Sequence, residues 1–118
     1  MLIIADDLGH YTWQISVSDS RLTQINKVVG EYDVWVHVFL PFPKLKVKIK
    51  ESSKGGFTGQ VDVAFKSRTD GSSDWIVGFG NTADEALEDA IKSFLNSVPE
   101  NESLTEDDFE WSESSNWN

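Results

Sequence analysis

The chain has 118 residues, no cysteine and a formal net charge of −10. That length suits one domain, and a composition of 39% hydrophobic and 12% aromatic residues is enough to build a core. Without cysteine, disulfides, cysteine-ligated zinc and thiol nucleophiles are excluded, and the chain fits a reducing, cytoplasmic compartment.

The start, MLIIADD, places only a short apolar run before two acids and has no basic region, so it does not read as a signal peptide. No apolar run approaches the roughly 18 residues that span a bilayer. Residues 11–17 alternate, with Tyr11, Trp13, Ile15 and Val17 on one side, which predicts a half-buried strand paired with LIIA. Leu22, Ile25, Val28 and Val29 follow at helical spacing after Ser18, Asp19 and Ser20, with Gly30 as a stop, which predicts a short helix over 20–29. DVWVHVFL (33–40) is apolar on both faces and reads as a central strand ended by Pro41 and Pro43. KLKVKIK (44–50) alternates strictly, with Leu45, Val47 and Ile49 facing inward. Gly55 and Gly56 mark a turn, and FTGQVDVAF (57–65) is the next strand, with Val61, Val63 and Phe65 inward. After a polar loop over 67–73, DWIVGFG (74–80) is a further strand, with Trp75, Val77 and Phe79 on one face. The best-marked element is a helix capped by Thr82, with Glu85 three residues on and a stripe of Ala83, Ala86, Leu87, Ala90, Ile91, Phe94 and Leu95. Pro99 closes it.

The expected architecture is therefore α+β: one antiparallel sheet of four to five strands, two helices on one face, and the second helix closing the domain at residue 98. Residues 99–118 hold seven acids and no base, few aliphatics and no periodicity, which predicts a disordered acidic tail. That tail also carries Phe109, Trp111 and Trp117, residues that a purely solvating tail does not need.

The charge is unevenly spread. Residues 1–98 hold thirteen acids against ten bases, whereas 44–68 hold seven bases against Glu51 and Asp62. Lys44, Lys46, Lys48 and Lys50 share one strand face and form a row suited to tracking a phosphate backbone, with Trp35, His37 or Phe39 as stacking partners. A solvent face that resists edge pairing has the same pattern. Asp84, Glu85, Glu88 and Asp89 on the helix, with Asp107, Asp108, Phe109 and Trp111 in the tail, offer clustered carboxylates that would complement a basic groove on a partner. The same helix acids also suit a solvated face. The two glycines of GFGNT (78–82) suit tight strand–helix packing better than phosphate binding, because Asp84 and Glu85 would repel an anion there. His10 and His37 have no metal-ligand spacing, and no nucleophile, base and orienting group come together, so no enzyme activity, metal or cofactor is expected.

The run FTGQVDVAF, loop, WIVGFGNTADEALEDAIKSFL resembles the strand–strand–helix ending of double-stranded-RNA-binding domains and of HicB-like antitoxins. It departs from the RNA-binding pattern at the helix start, where Asn81, Thr82, Ala83, Asp84 and Glu85 stand in place of a lysine cluster. Small size, an α+β domain without cysteine and an acidic surface are similar in style to phage-encoded inhibitors of host defence, anti-CRISPR proteins among them. The resemblance implies a non-enzymatic protein that blocks a basic, nucleic-acid-handling partner by mimicry or steric hindrance. The lysine row leaves open a single-stranded nucleic-acid binder with a regulatory acidic tail.

Overall fold

Seven strands and one helix, in two antiparallel sheets, make up the described part of the chain. A computed structural model describes residues 19–36, 39–100 and 103–112. The strands are β1 (Asn26–Trp35), β2 (Lys44–Ser52), β3 (Phe57–Val61), β4 (Val63–Lys66), β5 (Ser73–Asp74), β6 (Val77–Gly80) and β7 (Phe109–Trp111), and the helix α1 spans Ala83–Ser97. One sheet has the order β1-β2-β3-β6 and the other β5-β4-β7. The class is α+β, as the sequence predicts. The single sheet, the second helix and the closing position of the C-terminal helix are corrected: among the described residues there is one helix, and β7 follows it.

The predicted helix over 20–29 is a strand from Asn26 onward. Val28 and Val29 are β-branched, and the segment finds a partner in β2, with Asn26 opposite Ser52 and Trp35 opposite Lys44. Ile25 is tied in from both sides, its N–H donating to Ser53 Oγ at 3.0 Å and its carbonyl accepting from Ser53 N–H at 2.8 Å. Gly30 is no helix stop: the register shifts between Val28 and Gly30, a bulge. The apolar stripe that suggested a helix is not buried, since Leu22, Val28 and Val29 are exposed. The strand expected over 33–40 is the second half of β1, ends at Trp35 and lies on the edge of its sheet rather than at the centre. Residues 37–38, and the strand expected over 11–17, lie outside the described residues.

β2 and β3 form a hairpin whose turn needs two positive φ angles, supplied by Gly55 (98°) and Gly56 (84°). The strand predicted over 57–65 splits at Asp62, where the chain leaves the first sheet for the second. Val61, Val63 and Phe65 are all buried, as expected. Val77 and Phe79 share one face of β6, as the alternation predicts, and the structure turns that face outward. Gly78 and Gly80 face the helix. A Cβ on Gly78 would collide with the backbone of Ala90, and one on Gly80 would lie 2.5 Å from Ala86 N. Bare glycine therefore lets α1 lie directly on the sheet, which is the packing role expected of GFG.

α1 starts where predicted. Thr82 Oγ1 accepts from the Glu85 N–H at 3.1 Å, and Glu85 Oε1 accepts from the Asn81 N–H at 3.0 Å. Its fully buried positions are Ala86, Ala90 and Phe94. They pack with Val47, Ile49 and Val61 into a core that continues under the second sheet. There Phe109 is the hub, with ring centroids 5.0 Å from Phe42, 5.6 Å from Phe65 and 6.5 Å from Phe94.

The expectation of a disordered tail over 99–118 does not hold for residues 103–112. Glu106–Asp108 form a 3-10 turn and β7 pairs with β4, Phe109 opposite Phe65. A tail short of aliphatics still binds its own domain when one aromatic residue fills a core position and backbone pairing satisfies its polar groups.

Candidate functional site

The four helix acids are not equivalent. Two are used by the fold: Glu85 caps the helix start, and Asp89 Oδ2 accepts the Phe79 N–H of β6 at 2.8 Å. Glu88 pairs with Lys92 one turn on, at 2.6 Å, and holds the Lys92 ammonium above its ordinary pKa. Asp84 has no ion-pair partner among the described residues. Asp84 and Glu88 flank a groove of about 370 Å³ floored by Leu87 and Ile91, with Lys92 at its end. The sequence places all four acids on one face; the structure leaves two of them, Asp84 and Glu88, beside apolar side chains that are only partly buried.

The tail residues divide in the same way. Asp107 is exposed. Asp108 is structural, accepting the Thr105 N–H at 2.9 Å and facing Arg68 at 3.6 Å. Phe109, expected at a partner interface, is 4% exposed and belongs to the core, a correction forced by its contacts with three phenylalanines. Trp111 is half open and rests edge-on against Phe42, centroids 5.0 Å apart.

The lysine row is brought together on the outer face of the first sheet, but with acids beside it. In register, Trp35 faces Lys44, Asp33 faces Lys46 and Glu31 faces Lys48. Lys44 Nζ lies 3.5 Å from Asp33 and 5.3 Å from the centre of the Trp35 ring. Lys48 is only 3% exposed and lies 3.7 Å from Glu31. Lys46 is exposed and Lys50 half-buried. Across β3, Lys50 faces Thr58 and Thr58 faces Phe79, which puts Phe79 (66% exposed) on the same face as Trp35 (65% exposed). His37, offered as a stacking residue, lies outside the described residues.

A further site is not legible in the sequence. Between the two sheets opens a cleft of about 440 Å³, lined by Trp75, Trp111, Glu110, Gln60, Val77 and Ser112 among others. Asp62 builds it. Its N–H donates to Lys46 O at 3.1 Å, its Oδ1 accepts the Lys46 N–H at 2.9 Å, and its carbonyl accepts the Ser112 N–H at 2.8 Å. Asp62 thereby ties β2, β3 and the end of β7 together. Burial pushes its carboxyl above the ordinary value, against the opposing pull of the Lys46 N–H. The cleft pairs residues 36 positions apart, Trp75 and Trp111; the one signal in the sequence was the presence of a tryptophan in an otherwise acidic tail.

Among the described residues there is no group of three potential metal ligands and no helix long and apolar enough to cross a membrane. Comparison with protein-family models, with curated proteins and with solved structures finds no match for this chain.

Proposed function

We propose that the chain is a non-enzymatic acidic binding protein that engages a basic, nucleic-acid-handling protein and inhibits it by mimicry of nucleic acid or steric block. The observation that carries this reading is the helix groove, in which Asp84 and Glu88 flank the partly buried Leu87 and Ile91. Carboxylates beside an open apolar strip suit a partner with cationic and apolar groups side by side, and the net charge of −10 steers such a partner inward. Glu85 and Asp89 contribute to this field while serving the fold.

The test is calorimetric titration of the full chain with an amphipathic lysine-rich peptide. Asp84→Asn with Glu88→Gln is expected to weaken binding by about 1 kcal/mol, roughly fivefold, the value of two exposed charges. If the peptide binds the double variant as tightly as the parent, the helix groove is not the contact.

The exposed rings of Trp35 and Phe79, flanking Lys44, Lys46, Lys48 and Lys50, support a second reading, a single-stranded nucleic-acid binder. The acids Glu31 and Asp33 in the same face oppose it. A labelled oligonucleotide titrated at low salt separates the two: salt-sensitive binding lost in Trp35→Ala supports the second reading, and no binding removes it.

A further inference from the structure

We propose that the inter-sheet cleft is a binding site for a cationic side chain, an arginine or lysine of the partner protein, held by Trp75 and Trp111 with Glu110 as its counter-charge. This inference rests on the reading that the partner is basic, but it uses a different surface and a different chemistry.

Two tryptophans line one cleft and both stay open, Trp75 at 43% and Trp111 at 42% exposure. An indole face carries the most negative π surface of any side chain and attracts an ammonium or guanidinium set against it. One wall is fixed in advance, because Trp111 is braced on Phe42. Glu110 is also held: its Oε1 accepts the Ser73 hydroxyl at 2.7 Å, which orients the carboxylate and leaves it further acceptor sites. Gln60 and Ser112 add polar groups to the lining. A volume of about 440 Å³ admits a long side chain and falls within the range of small-ligand sites.

The occupant comes from outside the chain. No lysine or arginine lines the cleft. Lys66 is two residues beyond Ala64, the partner of Glu110, and Lys48, opposite the lining residue Gln60, is buried beside Glu31; both lie outside the lining. Arg68 is set over the Phe65 ring and faces Asp108. All ten basic residues of the chain fall within 19–36, 39–100 and 103–112, so no other part of the sequence supplies a lysine or arginine either. Two indoles and a carboxylate without a cation are therefore a complementary site for one on another molecule.

The test uses the full chain with 15N-labelled tryptophan, titrated with the acetylated, amidated peptide Gly-Arg-Gly-Arg-Gly and with its citrulline counterpart, which has the same shape and no charge. The Trp75 and Trp111 indole signals are expected to shift saturably with the arginine peptide while Trp35 stays in place. The citrulline peptide, and the variants Glu110→Gln and Trp75→Leu, should each weaken binding roughly three- to tenfold. Trp75→Leu keeps an apolar wall, and a preserved far-ultraviolet spectrum and melting point show that the variant is folded. Asp84→Asn with Glu88→Gln should leave the two indole shifts unchanged. If Glu110→Gln and Trp75→Leu bind as the parent does while the helix variant loses affinity, the cleft is refuted and the acidic-groove reading stands. If the arginine peptide does not bind at all, the cleft proposal falls, while the acidic-groove reading stands or falls on the amphipathic lysine-rich peptide. Shifts of Trp75 and Trp111 that depend on protein concentration without peptide would mean a second copy fills the cleft, and would overturn the proposal.

Discussion

At Asp62 the chain crosses from one sheet to the other, and both backbone groups and the carboxylate take part in the crossing. Burial raises this carboxyl above its ordinary 3.8, so the folded protein holds the proton more tightly than the unfolded chain does. The contribution favours folding at acid pH and is lost as the pH rises from 3.8 through the folded value. Asp62→Asn keeps an oxygen for the Lys46 N–H and removes the buried charge. It is expected to be at least as stable as the parent at pH 7, with the difference vanishing below about pH 4, in urea melts run at both values. Asp62→Ala removes the acceptor and should cost about 1–2 kcal/mol, because the Lys46 N–H is left without its partner. Gly78 marks the other residue-scale constraint. Gly78→Ala drives a methyl group into the backbone of Ala90 and is expected to lose roughly 1–3 kcal/mol of stability in the same melts.

At the scale of elements, β7 decides how the C-terminal segment behaves. Three residues pair with β4, and Phe109 supplies a ring shared by Phe42, Phe65 and Phe94. Phe109→Ala is expected to cost about 3–5 kcal/mol, and deleting residues 101–118 should destabilise the domain by at least as much. A truncated chain that melts at the parent temperature would show that β7 contributes nothing. Helix α1 was legible because its signals are local: the cap at Thr82, Glu85 three residues later, and a 3.6-residue apolar stripe. Thr82→Ala should lower stability by about 1 kcal/mol. The segment 20–29 misled for the converse reason. Its four apolar residues fit a helix, but backbone pairing with β2 and the bulge before Gly30 outweigh a weak local preference.

For the whole molecule, the distribution of charge matters more than its sum. Lys44, Lys48 and Arg68 each stand beside a carboxylate at 3.5, 3.7 and 3.6 Å, so the basic character of segment 44–68 is muted at the surface. Asp84 and Glu110 face open grooves instead. A basic peptide that binds either surface should lose roughly tenfold in affinity between 0.05 and 0.5 M salt, measured by calorimetry, because exposed charges are screened over a few ångströms at the higher value.

What the sequence determined by itself was whatever depends on neighbours within a few residues: the α+β class, the hairpin turn at Gly55–Gly56, the inward faces of β2 and of Val61, Val63 and Phe65, and the capped helix α1. The tertiary structure alone decided which face of β6 turns outward, that Phe109 belongs to the core, that Lys48 is buried beside Glu31, and that Trp75 and Trp111 share a cleft. Local periodicity shows which residues alternate but not which side another element will cover. That choice is made by contacts between segments far apart in the chain, where the burial of one aromatic ring outweighs the acidic character of its neighbours.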